Sequence, residues 1–101
     1  MKQSTFHCSK KKVFDAVKKA AILLKFEIVD ESLIDGKLYL FSKGGLFSYG
    51  NRISVQIKSP NSAKSILKVY ADSAAAIQII DWGTNSGLEN DLVTQVKSIL
   101  I

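Results

Sequence analysis

The side chains that could do chemistry are few, and their spacing excludes the commonest arrangements. His7 and Cys8 are the chain's single histidine and single cysteine, and they are adjacent. Neighbouring side chains of a strand point to opposite faces, so the two cannot form a nucleophile–base dyad. A structural zinc site needs four nitrogen or sulfur ligands, which one His and one Cys cannot supply. Asp30, Glu31 and Asp35 cluster near a turn without the alternating Asp/Asn register and closing Glu of a calcium loop. Asp72 and Asp81 could serve as paired carboxylates only if one were desolvated, and both also suit turn and helix-entry positions. Gly44-Gly45 and Gly50 do not lead into a helix as a phosphate loop would. No catalytic residue, metal ligand or cofactor is expected, and carboxylate chemistry on a small molecule stays a secondary alternative.

Binding is better supplied. Residues 1–25 hold seven lysines and one acid, Asp15, for a net +6, whereas the rest of the chain sums to −1. Lys10, Lys11 and Lys12 fall in the first turn of a helix, where the dipole favours anions over cations. That is either a solvated, solubilising face or a surface for a weakly bound anionic partner. No strand interleaves aromatic and basic residues in the manner of single-strand nucleic-acid readers.

Two aromatic–glycine units stand out, Ser48-Tyr49-Gly50 and Asp81-Trp82-Gly83-Thr84-Asn85. They resemble motifs of a group of small uncharacterised bacterial α+β domains, in which the first unit is often Ser-Trp-Gly and the second Asp-Trp-Gly-Lys-Asn. Tyr49 and Thr84 depart from that pattern. The resemblance implies a sheet-and-helix module and no activity. Read from the residues alone, glycine after a bulky aromatic permits a left-handed or bulged backbone at a strand end. Trp82 would then pack over the sheet end, or else contribute to a site. Leu46 and Phe47, between glycines, are candidate contact residues together with Tyr49.

The elements that must position these residues follow from periodicity. Thr5 to Cys8 alternates as a short strand, and Ser9 is a natural N-cap. Val13, Phe14, Val17, Ala20, Ala21 and Leu24 mark one helical stripe. Strands are predicted over 26–30, 37–42, 52–58, 66–71 and 77–81, with turns at Asp35-Gly36, Pro60-Asn61 and Asp72-Ser73. Ser86-Gly87-Leu88-Glu89 has the form of a capping box before a second amphipathic helix. The predicted order is β-α-β-β-β-β-β-α, an α+β fold whose antiparallel meander carries both helices on one face.

Leu38 to Phe41, Ile66 to Tyr70 and Ile77 to Ile80 are apolar at both parities. A strand apolar on both sides is covered on both sides or exposes a binding face. With no third layer in the sequence, the second face points to a protein partner, a small apolar ligand or a homodimer contact. Large aromatics that simply shield an open face would leave the same pattern.

The 101 residues suit one domain, 1–101, with an ordinary 47% hydrophobic and 23% charged composition. One cysteine forms no internal disulfide, and the longest apolar run, Ala20 to Leu24, is far short of a membrane span. The expectation is a cytoplasmic, non-enzymatic binding or interaction module.

Overall fold

In the computed structural model, Ser9 takes an extended backbone (φ −69°, ψ 157°) and its hydroxyl accepts a hydrogen bond from the Lys12 amide at 3.3 Å. It thereby caps helix α1 (Lys10–Leu23). The structure describes residues 2–42, 50–73 and 84–100. Val13, Phe14, Ala16, Val17, Ala20 and Ala21 form the buried stripe of α1. Its last turn closes through Phe26 N–H to Ala21 O (2.8 Å) and Lys25 N–H to Ile22 O (3.1 Å), with Lys25 left-handed at φ 62°. This is a Schellman ending with lysine where glycine is usual.

Five strands follow the predicted alternation: β1 (Lys2–Phe6), β2 (Glu27–Ser32), β3 (Lys37–Ser42), β4 (Asn51–Asn61) and β5 (Lys64–Ser73). All neighbours are antiparallel, in the order β1-β5-β4-β3-β2. The stretch β2 to β5 is a meander, and β1 adds to its far edge beside β5. Because β1 and β2 occupy opposite edges, α1 must cross the whole sheet. Its 14 residues reach about 21 Å, close to the roughly 19 Å spanned by four inter-strand gaps.

Helix α2 (Thr84–Leu100) packs on α1 and against β5 and β1. Leu38, Leu40, Ile53, Val55, Ile57, Leu67, Val69 and Ala71 point from the sheet into the layer of Val13, Val17, Leu92 and Val96. Both helices therefore cover one face, as the sequence predicts. No helix among the described residues is long and apolar enough to cross a membrane.

Several boundaries move. β1 ends at Phe6, so His7 and Cys8 occupy the bend before α1 rather than a strand. There His7 is exposed, while Cys8 is half-buried and packs on the core. The reversal predicted at Pro60-Asn61 comes at Ser62-Ala63, where the Asn61 side chain accepts from the Ala63 amide at 2.9 Å. Pro60 stays within β4 at a register irregularity, the kind of strand position that tolerates a missing donor. Helix α2 begins at Thr84, which places Ser86 inside the first turn and not at the cap. The strand predicted at 77–81 lies outside the described residues.

Glycine is required at two positions of positive φ. Gly36 has φ 66°, donates to Leu33 O and accepts from the Ile57 amide at 2.7 Å. A Cβ there would collide with the Ile57 carbonyl and crowd the Lys10 side chain. Gly50 enters β4 at φ 87°, the left-handed backbone anticipated after Tyr49.

Candidate functional site

The face of the sheet away from the helices carries the outward parity of each strand. Register sorts its central part into three rows. Tyr39, Ser54 and Tyr70 are directly paired across β3, β4 and β5. One step toward one end of the strands lie Lys37, Gln56 and Lys68, and one step toward the other lie Phe41, Arg52 and Asp72. Tyr39 is 43% exposed and Tyr70 48% exposed, whereas Leu38, Leu40, Val69 and Ala71 beside them are buried under the helices.

Aromatic side chains stand on this face because the strand period permits nothing else. Leu38 and Leu40 are committed to the core, so Tyr39 and Phe41 must project the other way. Ser54 between the two tyrosines is small and leaves a hollow. A shallow depression of about 330 Å³ lies over the tyrosine and lysine rows, and a second of about 590 Å³ extends over Phe41 and Arg52 to Val29. The two share Tyr39, Ser54 and Tyr70. Val29, 63% exposed, joins the face because a register shift between Ile28 and Asp30 breaks the alternation of β2. Asp72 and Arg52 form an exposed pair at 3.4 Å, which places this carboxylate in solvent beside a cation.

On the outward parity, β3 reads Lys37, Tyr39, Phe41 and β5 reads Lys68, Tyr70. Aromatic and basic residues do interleave here, which corrects the expectation from the sequence that no strand carries such a pattern. On β3 the pattern appears once the buried parity, Leu38 and Leu40, is set aside.

The sequence-derived candidates fall elsewhere. Leu46, Phe47, Tyr49 and Trp82 lie outside the described residues, as does Asp81. The segments that carry them leave and enter the sheet at Ser42, Asn51 and Ser73, which are paired with one another at one end. Lys10 is tied down: its Nζ donates to the Ile34 carbonyl at 2.7 Å and its stem lies over Gly36. Lys11 and Lys12 are exposed on the helical layer, opposite the tyrosines. Lys18 pairs with Glu31 at 3.0 Å. Among the described residues no three His, Cys, Asp or Glu side chains come together as a metal site.

Among the described residues three polar side chains are buried, Asn51, Ser65 and Glu89, and the sequence pattern marks none of them as buried. Ser65 is fully buried and donates to the Cys8 carbonyl at 2.7 Å, which fastens β5 to the link between β1 and α1. Glu89 is buried and its Oε2 accepts from the Ala71 amide at 2.8 Å. The pairing of β1 with β5 ends at Lys2 and Val69, so Ala71 lies beyond the end of β1 and the α2 carboxylate supplies its acceptor.

No family model and no curated protein matches the chain. Among solved structures, it is similar to a chain of the crystal structure of the adenylate sensor from AMP-activated protein kinase in complex with 5-aminoimidazole-4-carboxamide 1-beta-D-ribofuranotide. The TM-score is 0.74 at 12% identity, over 94% of each chain. At that identity the likeness is one of fold: a five-stranded antiparallel sheet with two helices on one face.

Proposed function

We propose that this protein is a non-enzymatic binding module whose contact surface is the open face of the sheet. One observation carries the reading: Tyr39 and Tyr70 stand about half-exposed in a single register row, on either side of the small Ser54. Half-exposed aromatics on central strands keep apolar surface in water, and that surface is available to a ligand or a partner. The fold likeness is compatible with such a module and does not name what it binds.

The lysines of α1 provide a second reading, attraction of an anionic surface or polymer. Lys11 and Lys12 occupy the layer opposite the tyrosines, so the two readings separate physically. Lys10 already serves the turn at Ile34, which leaves fewer lysines for a partner.

The test is a titration with the neutral, environment-sensitive dye Nile red. The wild-type protein should enhance its fluorescence. The double variant Tyr39→Thr with Tyr70→Thr should lose most of that enhancement, because threonine keeps strand propensity but removes the rings. The melting temperature should move little, since exposed substitutions cost within roughly 0.5 kcal/mol each. Equal enhancement by both proteins, or none by the wild type, contradicts the proposal.

A further inference from the structure

Charge is unevenly divided along the open face. The row containing Lys37, Gln56 and Lys68 continues to Ser32 on β2 and Gln3 on β1, so it crosses all five strands with two cations and no carboxylate. The tyrosine row ends on β2 at the exposed Asp30, paired with Tyr39, and the row beyond it holds Asp72 paired with Arg52 and ends at Glu27 on β2. An anion is therefore favoured on one side of the aromatic row and opposed on the other.

The spacing suits a small ligand. Tyr39 and Tyr70 are two inter-strand gaps apart, about 9.5 Å, with only Ser54 between them. A flat ring can enter above Ser54 and rest against either tyrosine at the usual contact distance of roughly 3.5–4 Å. The lysine row lies two residues further along each strand, about 6.6 Å away. The depression that spans these two rows, about 330 Å³, sits at the lower end of the range for small-molecule sites. An extended polymer laid along the strands would have to pass Asp72 and Glu27. A compact ligand avoids both.

From this juxtaposition we infer that the open face binds a planar aromatic ring carrying an anionic group, the ring between Tyr39 and Tyr70 and the anion toward Lys37 and Lys68. The inference rests on the proposed use of this face and adds the chemistry of the ligand. The ring makes stacking contact, and each ammonium, exposed at Lys37 and half-buried at Lys68, adds a modest, salt-sensitive attraction.

The ring and its anion could belong to a free aromatic acid or to a nucleotide. Amide chemical-shift titrations of the ¹⁵N-labelled protein separate the two sources, with 2-naphthoate in one arm and guanosine 5′-monophosphate in the other. The cation 2-naphthylmethylamine and inorganic phosphate serve as controls. The proposal predicts that at least one ring-bearing anion shifts the amides of Tyr39, Ser54, Gln56, Lys68 and Tyr70. 2-Naphthoate binding alone identifies aromatic acids as the source, and nucleotide binding alone identifies nucleotides. For the aromatic acid, affinity should exceed that of its matched cation by about twofold to fivefold, the range that one exposed ion pair supplies. For the nucleotide, affinity should exceed that of guanosine by a factor in the same range and fall as sodium chloride is raised. Lys37→Ser with Lys68→Ser should abolish the preference while Nile red binding persists.

Equal binding of the charged and uncharged or cationic partners overturns the inference, as does an equal response to inorganic phosphate alone. Shifts confined to α1, or face shifts that depend on protein concentration without ligand, also overturn it. The first would transfer the anion to the helix lysines, and the second would make a second copy the occupant. If no anion binds while Nile red still does, the ligand chemistry fails and the binding face stands.

Discussion

Lys25 holds a backbone conformation that side chains with a Cβ adopt at a cost. At φ 62° it occupies the position after the α1 cap where glycine is favoured, and it stays there because two hydrogen bonds from Lys25 and Phe26 close the helix. Lys25→Gly should raise stability by about 0.5–1 kcal/mol, since the left-handed penalty exceeds the added flexibility of glycine. Urea unfolding measures this directly, and a loss of stability would mean that the lysine side chain contributes more than its backbone strain costs. Nothing in the residue type announces this site, because lysine carries no turn signature. Asp35-Gly36 is the opposite case: the dipeptide names its own turn, and Gly36 adopts the positive φ that the turn requires.

Between elements, the most informative contact joins α2 to β5. Glu89 reads in the sequence as the closing residue of a capping box, but the helix starts at Thr84 and the carboxylate accepts from Ala71 on the strand. Local pattern could not reveal this, because the need arises from where β1 stops, a fact of tertiary pairing. Glu89→Ala should cost about 1–3 kcal/mol by leaving a buried amide without its acceptor. Glu89→Gln, which retains a carbonyl oxygen, should recover part of that loss. Stability of the alanine variant within error of the parent would show that water replaces the carboxylate. Elements with strong alternation, such as β3 and β4, were legible almost residue by residue. The ends of β1 and β4 were not, because their limits are set by a partner strand and by a side-chain turn at Asn61.

At the scale of the whole molecule, the α+β class and the one-sided helical layer follow from two apolar stripes and a run of short strands. The second face was legible as well, in the double parity of Leu38 to Phe41 and Ile66 to Tyr70. The residues that define it were not singled out, because an outward Tyr looks like ordinary shielding until Ser54 is seen between two of them. Exposed apolar residues also occur at Ile34, 91% exposed at the turn tip, and at Ile22 and Leu23 near the end of α1. What distinguishes the sheet face is that its aromatics share a register row, closed on β2 by Asp30, beside a row with two lysines and no carboxylate.

The central claim is that this face is open in solution, and tyrosine modification by N-acetylimidazole with peptide mapping by mass spectrometry tests it most directly. Tyr39 and Tyr70 should be acetylated in the folded protein at rates approaching those of the same residues in urea. An added ligand of the face should slow both together. Protection of Tyr39 and Tyr70 in the native, ligand-free monomer, to the degree expected of buried side chains, would contradict the account.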